Sequence, residues 1–475
     1  MSEDYQWSSD KRDAFLAERF ERMLNEGDNA YFDAEEFEAI IEHYQDHFDS
    51  QHIRLAIEHA IRQHPDNVQL RIRYARQLAI DNRFIEALEI LNKLEVTEPN
   101  DVDVIMTKGT VYSMMLEFKK AVNTYKLALP LVDEDELEEV YATIGYEYEN
   151  LGNYDQSIRY FRKALEINPG AEPLLFELGL CYELIKKPEE GIQYFQEFIN
   201  NRDPYSIPAW FNMGLIYQQM DLFEKSIDAL EYVLAIDDTY VPAYLSIAHA
   251  YSNLADYNKA IEVYKETFAF EKPDGMTLYY IGECYEKMRD YKNALTHYNN
   301  ALELDDKLAE PWAGIGVIFD DEGNTKTAVK YLSKAIELDP LNAEYFLIQA
   351  DMYIKMKHFE KAEACYRTVE TFDPNDQDLW LEYSNLFIIK NDYERAIQVL
   401  RTGLTHQPEN ADIHYRLAVA YYLNNNLIQS SFFLSSGLEL NFEGHFEMLR
   451  YYPDIIKSDL ITDLISQYVT GRKSE

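Results

Sequence analysis

The sequence predicts an all-α solenoid of about twelve stacked helix–turn–helix units, and three observations carry that expectation. Prolines recur at a 34-residue step in matching settings, as at Pro340, Pro374 and Pro408, with Pro65 and Pro99 keeping the same interval. Small residues keep it too: Gly109, Gly145, Gly179, Gly214, Ala248, Gly282, Gly316, Ala350 and Ser384 in one segment, and Ala260, Ala294, Ala328, Ala362 and Ala396 in the next. An aromatic follows the first small residue by three, from Tyr112, Tyr148, Tyr182, Tyr217, Tyr251 and Tyr285 to Phe319, Tyr353 and Phe387.

The elements follow in chain order. Residues 11–26, within an N-terminal segment 1–33, place Phe15, Leu16, Phe20, Met23 and Leu24 on one side of an amphipathic helix that covers the first unit. The units then run 34–67, 68–101, 102–137, 138–171, 172–206, 207–240, 241–274, 275–308, 309–342, 343–376, 377–410 and 411–444. Each holds two stretches of helically spaced apolar residues around a short polar turn such as "DEGN". The small residues let the two helices approach closely, and the closing proline stops the second helix and turns the chain. An isolated pair cannot bury such a face, so the units must stack.

Three departures mark the beat. The units 102–137 and 172–206 exceed the step by two and one residues, and "VDEDELEE", with six acids in Asp133–Glu139, reads as a solvated loop. The first unit puts Ile41 and Ile53 where others put small residues. After the last unit, 445–475 forms two helical pieces split by Pro453. Ser458 is an N-cap candidate for the second, and Leu460, Ile461, Leu464, Ile465, Tyr468 and Val469 make its apolar stripe, a cap for the stack or a docking helix.

At this point the chain resembles the tetratricopeptide repeat family, as a multi-repeat array of bacterial type. The residues from Pro311 to Pro340 carry the likeness through Trp312, Ile315, Gly316, Phe319, Ala328, Leu332, Ala335 and Pro340, and Trp210 and Trp380 stand where Trp312 does. The resemblance spans residues 34–444 and implies a right-handed superhelical solenoid with capping helices.

Composition narrows the function. Lys plus Arg number 44 against 85 Asp plus Glu, a net charge of −41, which repels phosphate backbones and anionic lipid and attracts basic partners. No apolar run is long enough to span a bilayer, and the acidic start lacks a leader pattern. The scattered Cys181, Cys284 and Cys365 make neither a disulfide framework nor a zinc site and fall at core positions, so cytoplasm is the expected compartment. His43 and His47 are spaced to share a helix face, but no third ligand accompanies them, so neither metal nor cofactor is expected. No phosphate loop, nucleophile elbow or dinucleotide fingerprint appears, and the chain reads as non-catalytic.

The resemblance further implies that the first helix of each pair lines a concave groove. Carried over by position, the groove residues are Tyr146 and Glu149; Pro173, Phe176, Leu180, Glu183 and Leu184; Phe211, Leu215, Gln218 and Gln219; then His249, Tyr279, Glu283, Glu286, Asp320 and Asp321. That is an apolar patch flanked by acids, and it predicts a protein or peptide partner of basic and apolar character. The positions at which one subset of the family grips a carboxylate are mostly apolar or acidic here, with Lys287 and Lys355 isolated. The expected function is a scaffold or adaptor, monomeric rather than self-associating. A chaperone-like holder of apolar segments and a regulatory subunit of a separate enzyme are the rivals.

Overall fold

The computed structural model describes residues 9–27 and 30–472, so residues 1–8 of the N-terminal segment, 28–29 and 473–475 lie outside it. Every regular element among the described residues is helical. The chain divides into two compact units, Met1–Ser246 and Ile247–Glu475, the division falling inside the helix Val241–Asn253.

In the first unit, Ser9–Glu26 precedes six consecutive pairs: Ala34–Asp46 with Ser50–Gln63, Val68–Ile80 with Phe84–Thr97, Val102–Met114 with Phe118–Ala128, Glu134–Asn150 with Tyr154–Ile167, Glu172–Leu184 with Pro188–Asn201, and Ile207–Gln219 with Phe223–Ile236. In the second unit, Tyr257–Glu266 is followed by Gly275–Lys287 with Tyr291–Leu304, Ala309–Asp321 with Thr325–Leu338, Ala343–Lys355 with Phe359–Phe372, Leu379–Ile389 with Tyr393–His406, and Ala411–Leu423 with Leu427–Leu440. His445–Tyr451 and Asp459–Arg472 close it.

The beat has a backbone cause. Between the two helices of each pair one residue adopts the left-handed conformation, at positions 48, 82, 116, 152, 186, 221, 255, 289, 323, 357, 391 and 425. The next residue's N–H then reaches back to the carbonyl five residues earlier, as Arg83 to Leu78 (2.7 Å) and Asn324 to Phe319 (2.7 Å), which is the Schellman closure of a helix end. Only Gly152 and Gly323 adopt this conformation freely; Leu116, Lys186 and Ala255 take it with a Cβ.

Caps and staples start the next helix. Asn67, Asp101, Ser206 and Asp274 each accept a backbone N–H three residues on. The indole N–H of Trp210, Trp312 and Trp380 donates to the carbonyl six residues earlier, on Pro204 (3.0 Å), Asp306 (3.2 Å) and Pro374 (2.9 Å). The tryptophan register read from the sequence is therefore a tie between each helix and the linker before it.

Small residues mark close approach. A Cβ on Gly145 would lie 2.5 Å from the Phe161 ring, and one on Gly282 2.6 Å from Tyr298. At the second small position Ser157 and Ser430 replace alanine and donate to the carbonyls of Gly145 (2.9 Å) and Ala418 (2.8 Å).

Three expectations change. The acidic stretch after Asp133 is not a loop: Glu134–Asn150 is a 17-residue helix whose first turn holds Glu134, Asp135 and Glu136. Carboxylates are favoured there because they face the positive end of the helix dipole. Phe15 is exposed, whereas Leu16, Phe20 and Met23 are buried with Phe32, Phe37 and Ile40. Leu460 is exposed as well, whereas Ile461 is buried in the last core cluster, with Leu464, Ile465 and Tyr468 packed against it.

Candidate functional site

The residues singled out for binding occupy a fixed register about the packed small residue of each first helix, and the two units are best taken separately. In the first unit the place one after the small residue holds Tyr146, Leu180 and Leu215, and the place four after it holds Glu149, Glu183 and Gln218. Leu180, Leu184 and Leu215 are exposed at 42%, 45% and 37%. Three residues before the glycine, Phe176 and Phe211 are half-buried and meet edge-on at 6.3 Å, and Phe211 meets Tyr240 at 5.5 Å. The rings thus form a packed base between successive helices, and the leucines stand clear of it.

Acids border that stripe. Pro173, Glu183 and Gln219 are exposed, and Gln218 donates to the Ser246 carbonyl (2.6 Å). Tyr146 packs edge-on against Phe161 (5.0 Å). Burial lifts the Glu149 carboxyl above the usual carboxylate range, and the like charge of Glu177 adds to the shift. One Glu149 oxygen is buried with no hydrogen-bond partner. Glu177 escaped the sequence reading because it sits between register positions.

In the second unit the same register ends in carboxylates held by tyrosine. Tyr279 stacks on Tyr298 (5.7 Å), and the Tyr298 hydroxyl, fully buried, donates to Glu286 (2.7 Å). Burial raises the carboxyls of Glu286 and Glu283; Glu283 and Asp321 raise Glu286 further, whereas Lys287 and His249 draw Glu283 back down. Tyr291 donates to Asp321 (2.8 Å). His249 is exposed, with Asn253 3.3 Å from its ring nitrogen.

Lys355 is not isolated. Its ammonium binds Asp320 (2.7 Å) and Asp351 (2.6 Å), and the Asp320 side chain is 8% exposed. A basic partner would therefore compete with internal donors for Asp320, Asp321 and Glu286, whereas the leucines of the first unit face no such competition.

Two further features were missed in the sequence. Glu147 is 5% exposed at a place that holds Cys181, Ile216 and Cys284 in other repeats, and burial raises its carboxyl. That break in an apolar column was the available signal. A cleft of about 430 Å³ between Leu379–Ile389, Ala411–Leu423 and His445–Tyr451 is lined by Arg416, Arg450, Tyr451 and Met448, with the Arg416 guanidinium 3.4 Å over the Tyr451 ring. Arg450 lies beyond the last repeat, where the beat gives no guidance.

The three cysteines are free and buried, and burial pushes each thiol up to about 11. Among the described residues no three His, Cys, Asp or Glu side chains are grouped to hold a metal ion, and no helix is long and apolar enough to cross a membrane. The His47 ring is turned onto the His43 carbonyl (2.7 Å).

Comparison with known proteins agrees with the repeat architecture. Residues 218–445 match the model of the cilia and flagella-associated protein 70 C-terminal domain, and residues 138–170 and 174–203 match two tetratricopeptide repeat models. The chain is 22% identical over 167 residues to a probable UDP-N-acetylglucosamine–peptide N-acetylglucosaminyltransferase SPINDLY of Hordeum vulgare, covering 34% of this chain and 17% of that protein. It is 26% identical over 101 residues to a TPR repeat-containing protein of Methanocaldococcus jannaschii, covering 21% of this chain and 31% of that one. These matches span less than a third of either relative's length. A crystal structure of MamA protein aligns at 28% identity over 37% of this chain and 96% of its own, with a TM-score of 0.32.

Proposed function

We propose, for a chain that belongs to the tetratricopeptide repeat family, that it is a non-catalytic interaction scaffold whose first unit docks a basic, apolar segment of a partner protein. The observation that carries the reading is the stripe Leu180, Leu184 and Leu215, exposed on two neighbouring first helices above a packed aromatic base. Bare leucine gains nothing from water, and the bordering Glu149, Glu177 and Glu183 supply the field for a cationic partner. An amphipathic helix with leucines on one side and lysines on the other fits both. The array is taken to run over residues 34–444, and three unpaired cysteines support a cytoplasmic setting.

The test is a titration of a fluorescent Leu/Lys amphipathic peptide into the full chain. Leu180→Glu with Leu215→Glu should weaken binding about 100-fold while the chain stays folded and helical, because both side chains are partly exposed. Replacing Phe176 and Phe211 is a poorer probe, since charges there would enter a ring contact and lower stability. Unchanged affinity in the leucine double variant would remove this face as the site.

A further inference from the structure

The repeat supplies an internal control for its own outer surface. In the second unit the second helix of each pair presents its second and sixth residues to solvent. Along the second unit these are Asn258 and Glu262, Lys292 and Thr296, Lys326 and Lys330, Glu360 and Ala364, then Glu394 and Gln398, all exposed. In Leu427–Leu440 the same two places hold Ile428 and Phe432, exposed at 80% and 59%. Nothing in the stacking of the repeats calls for large apolar residues there, because the five preceding pairs hold nothing more apolar than Ala364. In the first unit Ile85 is the one large apolar residue exposed at the second place, with the polar Glu89 at the sixth.

The rest of that helix is stripped of charge. Its sequence, LIQSSFFLSSGLEL, carries one charged residue, Glu439, whose carboxylate accepts a hydrogen bond from Tyr468 (3.0 Å). Ser436 turns its hydroxyl onto the Phe432 carbonyl (3.2 Å), leaving a small side chain with its donor satisfied one turn along. The single carboxylate of Glu439 shares the outward face with Ile428 and Phe432 but is engaged by Tyr468, so a basic partner finds little there to bind. For a chain of net charge −41, however, a nearly neutral face is where a second copy meets the least repulsion.

We propose that the outer face of Leu427–Leu440 is a self-association surface on which a second copy of this chain docks, in place of the monomer expected from the sequence. The two helices run antiparallel across a two-fold axis near Phe432, so Ile428 and Phe432 of each copy pack on the Ser435–Ser436 edge of the other. Such a contact is smaller than a standard interface of about 1,200–2,000 Å², so the dissociation constant should be on the order of 10 µM.

The experiment is light scattering and sedimentation of the full chain from about 1 µM to about 100 µM, in salt from about 50 mM to about 500 mM. The wild type should pass from monomer to dimer, and added salt should strengthen the dimer by screening self-repulsion. Ile428→Glu with Phe432→Glu should raise the dissociation constant about 100-fold or more, with an unchanged melt because both residues are exposed. Glu394→Ala, at the equivalent place one repeat earlier, should leave it unchanged. A wild type that stays monomeric overturns the proposal and leaves the face to an unrelated partner. A dimer that survives the double glutamate variant, or that salt weakens, overturns it by placing self-association on another surface.

Discussion

On Glu172–Leu184 and Ile207–Gln219 the side chains just after the packed glycine end in bare methyl groups, and on Gly275–Lys287 the same places end in carboxylates. The backbone register is common to both, so the contrast lies in the second layer. Sixteen residues after the glycine, the first unit has Phe195 and Leu230, which offer no hydrogen bond, while the second has Tyr298, whose hydroxyl reaches Glu286 at 2.7 Å. An acid is held on the face of the second unit by a buried donor. A leucine on the first unit needs no such support and remains available. The family's frame thus fixes where a face lies, and the residue beneath it decides whether that face is engaged from within.

Tyr298→Phe is the sharpest way to break this comparison. Removing the hydroxyl leaves the half-buried Glu286 carboxylate without its donor, and stability should fall by about 1–3 kcal/mol at neutral pH, read from urea unfolding. If the loss is nil, the tyrosine is only packing, as phenylalanine is at the matching place in the first unit.

A smaller effect should come from acidity. Burial raises both Glu283 and Glu286, so the unfolded chain ionises them first as pH climbs. Their neutral forms carry no penalty below the unfolded pKa, and stability is lost as pH rises through the raised values. Glu283→Gln with Glu286→Gln should therefore raise the melting temperature at about pH 7 and leave it unchanged near about pH 4. An equal gain at both pH values would assign the effect to packing instead of charge. Matching substitution of the exposed Glu183 in the first unit should do neither.

The smallest effect belongs to the turns. Ala255 holds φ 58° at a place where Gly323 holds φ 82°. Ala255→Gly should stabilise the chain by about 0.5–1 kcal/mol, and Gly323→Ala should cost about as much, both read from chemical melts. A destabilised Ala255→Gly would mean that unfolded-chain entropy outweighs relief of the left-handed strain.

Much of this was legible in the sequence, and the reasons are local. Helix pairs, their length and the tryptophan register follow from which side chain must pack where, and Gly145 or Gly282 announces a close approach wherever it falls. Partnership across repeats is another matter. Lys355 and Asp320 are 35 residues apart, and only stacked backbones show that they meet at 2.7 Å. Phe176 and Phe211 likewise turn out to rest on each other. The run after Asp133 was misread because charge density suggests solvation, while position in the first helical turn favours a helix. Ile428 and Phe432 are legible in the register itself, since the same outward places in the five preceding pairs hold polar residues or alanine.

The three buried thiols give the molecule a timekeeper. With each pushed up to about 11 and sealed in a helix, alkylating reagents reach Cys181 only when the first unit breathes, and Cys284 or Cys365 only when the second does. The order in which mass tags accumulate on those three sites therefore reads the local opening of each half without any added probe. A partner seated on the leucines should slow the tag at Cys181, the next residue but one to Gly179, before it touches the other two.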